Sequence, residues 1–169
     1  MLKTISMFTM IAISLVFQPA GFAQAAKQPL LTITGKINKT NTPDKKSYVI
    51  TQAEFKKLPR QTIKATTDYS KDTSYTGPLM SDILKLVEAD KNSKYIIITG
   101  LDGYKIRAPM SDFQKYEVII ADTAGGVPMT IDTKGPFWTI YPIDKYKAEL
   151  NDVTTSSKMV WALVSIDVK

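Results

Sequence analysis

The chemistry open to this chain is bounded first by two missing side chains: its 169 residues include no Cys and no His. That excludes zinc fingers, iron–sulfur sites, a haem held through His, Ser-His-Asp or Cys-His catalysis, and disulfides. Thr155 and Lys158 stand three residues apart, a spacing at which an amine can activate a hydroxyl nucleophile. They sit among Thr154, Ser156 and Ser157, where a polar loop is expected. Asp72, Asp82, Asp102 and Asp112 do not have the order of a calcium loop, and no metal site is expected. No G-x-x-x-x-G-K-[ST] or G-x-G-x-x-G run is present to cradle a nucleotide phosphate. What remains is aromatic and turn chemistry, in three segments: Thr76-Gly77-Pro78-Leu79, Asp102-Gly103-Tyr104, and Gly135-Pro136-Phe137-Trp138-Thr139-Ile140-Tyr141-Pro142.

Short strands surround these segments. Residues 30–37, 47–50 and 61–67 are rich in β-branched residues and alternate, which predicts strands. Thr51-Gln52-Ala53-Glu54 has the form of a capping box, with Thr51 accepting from the Glu54 amide and Glu54 reaching back; the helix it opens ends at Pro59. Residues 68–76 are polar and read as a loop. Pro78 suits the first position of a helix, on which Leu79, Ile83, Leu86 and Val87 share one face. Residues 94–99 and 104–108 form a hairpin about Asp102-Gly103, and residues 109–113 a single helical turn. Strands are expected at 117–123, 127–131, 137–141 and 159–168, with Trp161 in the core. Eight or more short strands with two helices predict an α+β fold, mixed and mainly β, in a single domain.

Composition agrees with one globular domain: 44% hydrophobic, 22% charged, with 8 Gly and 9 Pro. The net charge is +6, but the lysines are scattered and only Arg60 and Arg107 accompany them. A nucleic-acid partner is therefore not expected. At the start of the chain Lys3 precedes a largely apolar run from Ile5 to Phe17. Pro19, Gly21 and a small-residue stretch, Ala23-Gln24-Ala25-Ala26, follow. This is the pattern of a signal peptide over 1–23, cut after residue 23 or 25. It leaves residues 24–169 as an exported domain with the periplasm as its expected location.

The three aromatic and turn segments, in that order, resemble the molybdopterin-binding domain of the sulfite oxidase family. That family has a Thr-Gly helix start, an Asp-Gly-Tyr turn and a proline-bounded strand near its C-terminus. The resemblance covers roughly residues 30–168. It implies that a Cys on the loop after strand 61–67 would bind molybdenum, and that an Arg at the position of Trp138 would pair with the anionic cofactor. This chain has neither. An indole in place of a guanidinium removes charge and supplies a flat apolar face, which suits a ligand that keeps the planar pterin without phosphate or metal. With G-P-F-W-x-I-Y-P and no Cys, the chain is similar to exported pterin-binding proteins of this fold that act on the periplasmic region of a membrane-bound enzyme of cyclic-di-GMP synthesis and degradation.

The resemblance implies a non-catalytic receptor with pterin as a reversible ligand and no tightly bound cofactor, reporting pterin availability to biofilm control. Trp138 would stack on the ring. Asp102 or Asp112 would accept hydrogen bonds from its amino edge, with Ser111, Tyr104 and Tyr141 as further contacts. Thr66 and Thr67 would line the region of the absent Cys. Each residue also has a structural reading: Trp138 as core, Asp102 as turn chemistry, Asp112 as a cap, Tyr141 as packing. Two other functions stay open, a molybdopterin-dependent oxidoreductase without a Cys ligand and an interaction module with no ligand.

Overall fold

The computed structural model describes residues 31–169; the expected signal peptide at 1–23 lies outside the described residues. In chain order the strands are β1 (Leu31–Gly35), β2 (Ser47–Ile50), β3 (Gln61–Thr67), β4 (Ser70–Gly77), β5 (Tyr95–Gly100), β6 (Lys105–Pro109), β7 (Ile119–Ala121), β8 (Thr123–Ala124), β9 (Val127–Pro128), β10 (Trp138–Ile140) and β11 (Leu163–Val168). Between them run α1 (Gln52–Phe55), α2 (Met80–Leu86), α3 (Met110–Lys115), α4 (Lys147–Leu150) and α5 (Val153–Lys158), with a 3-10 turn at Ile131–Thr133. The architecture is mixed α+β and mainly sheet, as the strand pattern predicts. None of the described helices is long and apolar enough to cross a membrane.

Five strands make one sheet in the order β2-β1-β11-β5-β6, in which β1 runs parallel to β11 and the other pairs are antiparallel. Period-two alternation buries one face of it: Leu31 and Ile33 of β1, Ile96 and Ile98 of β5, and Ile166 and Val168 of β11 are fully buried. Met80, Ile83 and Leu84 of α2 and Phe113 of α3 join the same core. A second sheet, β3-β4-β8-β9, and the ribbon β10-β7 complete the structure.

The polar run 68–76, expected as a loop, forms most of β4. It pairs with β3 from Gln61↔Gly77 to Thr67↔Ser70, leaving Asp68 and Tyr69 as a two-residue turn. Cross-strand Thr pairing, such as the 2.8 Å bond between Thr62 and Thr76 hydroxyls, and complete burial of Tyr75 supply what the residue types alone do not advertise. The stretch around Thr154 is also helical, as α5. Asp152 caps it, one carboxylate oxygen accepting from the Thr155 amide at 2.9 Å and the other from the Thr155 hydroxyl at 3.0 Å.

Two local expectations shift by small amounts. Helix α2 starts at Met80 with an extended Leu79 before it, because the chain leaving β4 still packs along β7: Leu79 bridges to Ile119, and the backbone of Ile120 lies against Gly77. A Cβ there would lie 1.9 Å from the carbonyl oxygen of Ile120. At α1, Thr51 does accept from the Glu54 amide, at 3.3 Å. The Glu54 carboxylate, however, takes the Tyr48 hydroxyl. Burial, and then the Glu54 contact, push the Tyr48 phenol up to about 12.

Candidate functional site

Three turns converge on one small cleft of about 210 Å³. The β3–β4 turn contributes Asp68 and Tyr69, the β5–β6 turn Asp102 and Tyr104, and the far wall is the end of α5 with the chain leading into β11, from Ser156 to Trp161. Sites for drug-sized ligands begin at roughly 300 Å³. A ligand here is therefore a small ring system, or one that leaves part of itself outside. A larger groove of about 520 Å³ lies between α2 and α3, but its single ring, Phe113, is 5% exposed. That groove offers no open aromatic face.

The cleft's own rings are unusually open: Tyr69 is 61% exposed, Tyr104 44% and Trp161 38%. Local bonding holds each in place. Thr67 Oγ1 accepts from the amides of Tyr69 and Ser70, at 3.2 and 3.1 Å, and so shapes the turn that presents Tyr69. Asp102 Oδ1 accepts from the Tyr104 amide at 2.9 Å, while Gly103, at φ +84°, supplies the left-handed residue of the turn. The Tyr104 hydroxyl donates to the Ser157 carbonyl at 3.2 Å, tying this turn to α5.

Trp161, expected in the core, faces out. Ala162 has φ +45°, a left-handed conformation uncommon for a non-glycine residue, and it interrupts the alternation before β11 begins. Its amide donates to the Lys134 carbonyl at 3.0 Å and its carbonyl accepts from Leu101 at 2.9 Å. Lys134 is itself left-handed, at φ 70°. Its ammonium lies 3.5 Å from the Tyr69 ring centre and 5.7 Å from that of Trp161, within cation–π range of both.

The structure places Trp138 beneath the cleft rather than on it. The ring is 4% exposed, its Nε1–H donates to the Met159 carbonyl at 2.9 Å, and the rings of Tyr75 and Tyr69 meet it edge-on at 5.5 and 6.0 Å. Its faces are already packed, so it supports Tyr69 and leaves no surface for a ligand.

Asp112 and Tyr141 belong to a separate, buried cluster. Asp112 Oδ2 accepts from the Tyr141 hydroxyl at 2.9 Å and from Lys158 Nζ at 2.6 Å. All three residues are under 10% exposed. Burial first, then the Asp112 charge, holds the Tyr141 phenol well above its ordinary range. The Thr155–Lys158 nucleophile arrangement is not assembled, because Lys158 is held by Asp112 and Thr155 by Asp152.

Of the eight candidates, then, Asp102 and Tyr104 line the cleft, Thr67 shapes it and Trp138 underlies it. Asp112 and Tyr141 lie in the buried cluster. Thr66 bonds Asp144 at 3.2 Å, and Ser111 is exposed on α3; neither lines the cleft. Sequence reasoning missed Asp68, Tyr69, Ser157 and Trp161. Tyr69 carried a signal, an aromatic flanked by Asp68 and Ser70 with no apolar neighbour to pack on. Trp161 carried none, since Met159-Val160-Trp161-Ala162-Leu163-Val164 reads as a continuous apolar strand.

Among the described residues no group of three or more acidic, His or Cys side chains is arranged to hold a metal ion. The sequence profile of the family described as oxidoreductase molybdopterin binding domain matches residues 49–144, more than half of the chain. No curated protein matches the sequence. Among solved structures, the sulfane dehydrogenase SoxCD from Paracoccus pantotrophus shares the fold at a TM-score of 0.59 and 15% identity, over 82% of this chain and 37% of that one.

Proposed function

This chain belongs to the oxidoreductase molybdopterin-binding domain family, and we propose that it is a non-catalytic receptor that binds the pterin ring alone, without the metal. The donor set does not fit a molybdenum centre held by a thiolate. The loop after β3, where the family resemblance puts the Cys, is Asp68-Tyr69, and the chain contains no Cys at all.

The observation that carries the reading is the half-exposed indole of Trp161 beside Tyr69, in a cleft that also holds the carboxylates of Asp68 and Asp102. A pterin has flat faces and an edge bearing an amino group beside a ring N–H. Stacking on Trp161 contributes about 1 kcal/mol beyond area burial. Asp102 keeps its second carboxylate oxygen free of protein partners among the described residues. It can therefore accept from the pterin edge as a charge-assisted bond. The hydroxyl of Tyr104 and the side chain of Ser157 complete the wall.

In this reading the protein is exported by the segment at 1–23, works in the periplasm over residues 24–169, and relays pterin occupancy to the periplasmic region of a membrane-bound cyclic-di-GMP enzyme. The relay is thermodynamic linkage: a ligand that changes affinity for the partner has its own affinity changed by the same factor. Calorimetric titration of the mature protein with oxidised and reduced pterins, with and without that periplasmic region, tests both parts. Saturable binding whose affinity shifts with partner present supports the receptor. Stoichiometric molybdenum in protein isolated from its own periplasm would overturn it.

A further inference from the structure

Lys134 borders the cleft without lining it, set against two of its rings. Its ammonium contacts the faces of Tyr69 and Trp161, the two rings that a bound heterocycle would meet. The backbone fixes it there through the hydrogen bond from Ala162 and the left-handed turn after Ile131–Thr133. Among the described residues no carboxylate lies within ion-pair distance of Lys134, as for most of the described lysines; what sets it apart is an ammonium placed against two aromatic rings at once. The cleft thus has two kinds of charge on different turns: carboxylates at 68 and 102, and an ammonium without an acidic partner at 134.

We infer that Lys134 makes the cleft select planar heterocycles that carry an anionic substituent on the end away from their hydrogen-bond donor edge. The inference rests on the pterin reading above and names the ligand class within it. A pterin's amino edge and its 6-substituent lie at opposite ends of the fused ring. In this inference the amino edge sits on Asp102, and the 6-substituent, which a cleft of about 210 Å³ does not enclose, meets the ammonium that lies against Tyr69 and Trp161. An anion there gains the ammonium as partner; a neutral hydroxylated group gains only a hydrogen bond.

The test compares 6-carboxypterin with 6-hydroxymethylpterin by calorimetry on the mature wild-type protein, Lys134→Gln and Lys134→Asn; Asn tolerates the left-handed backbone well. The wild type is expected to bind the carboxylate about fivefold more tightly at low salt, with the preference shrinking as ionic strength rises. Both variants are expected to bind the two ligands about equally, with the loss falling mainly on the carboxylate. Equal affinities in the wild type would overturn the inference and leave the pterin reading intact. A preference that persists in both variants would remove Lys134 from it. Failure of both pterins to bind any of the three proteins would overturn the reading and the inference together.

Discussion

Two regions of this molecule use the same three side-chain types to opposite ends. At the cleft, Asp102, Tyr104 and Tyr69 are exposed and Lys134 is half-buried, and Asp102 keeps one carboxylate oxygen without a protein partner among the described residues. Where α5 meets α3 and the end of β10, Lys158, Asp112 and Tyr141 are buried and satisfy one another. The difference is not composition but completion. A buried carboxylate with two partners is satisfied, is costly to break open and has little left for a ligand, whereas an exposed one held only by its own turn keeps its chemistry available. The two tryptophans repeat the lesson: Trp138 is packed and bonded, and Trp161 is open.

The largest effect should come from breaking the closed region. Asp112→Ala leaves Lys158 buried without its counter-charge, a change that costs about 3–5 kcal/mol. The melting temperature should fall by about 10 °C, and a fall of less than about 3 °C would erase the distinction between the regions. Next come the tryptophans. Trp138→Ala should cost about 3–5 kcal/mol of stability by opening a core cavity. Trp161→Ala should cost about 1 kcal/mol or less, while weakening pterin binding at least about tenfold. Denaturant melts and ligand titrations on the two variants separate these outcomes.

Titration gives a third contrast. Tyr48 and Tyr141 both have folded-state values raised above the ordinary 10.0, Tyr48 to about 12. Their neutral forms are favoured by folding, so this stability is fully present below pH 10. It is lost as pH climbs from 10 through 12 and beyond. Urea midpoints should fall over that window, and Tyr48→Phe should make the fall shallower; an unchanged slope would remove Tyr48 from the account. The smallest effect is at the open region. Asp102→Asn retains an oxygen for the Tyr104 amide but loses the charge. Pterin affinity should drop several-fold, with stability unchanged to within about 0.5 kcal/mol.

What the sequence made legible follows the same division. Local rules reached the strands β2 and β3, the Asp102-Gly103 turn and the Thr51 cap, because each depends on neighbours a few residues away. They missed β4, whose strand character comes from pairing with β3 and from burying Tyr75, both tertiary facts. They also passed over the Asp152 cap of α5, although Asp152 and Thr155 stand at capping distance. For the site, Asp102 and Tyr104 were readable because a turn advertises them. Asp112 looked equally available until Lys158, 46 positions later, closed on it. Trp138 and Trp161 both sit in apolar runs; only the left-handed Ala162 turns one of them outward, and no residue type announces that.

The most direct measurement is tryptophan fluorescence of the mature protein during a pterin titration, repeated on Trp161→Phe and Trp138→Phe. Saturable quenching is expected in the wild type and in Trp138→Phe, and its loss in Trp161→Phe. Quenching that survives in Trp161→Phe and disappears in Trp138→Phe would place the ligand at the buried ring, and would contradict the division between open and closed regions on which the account rests.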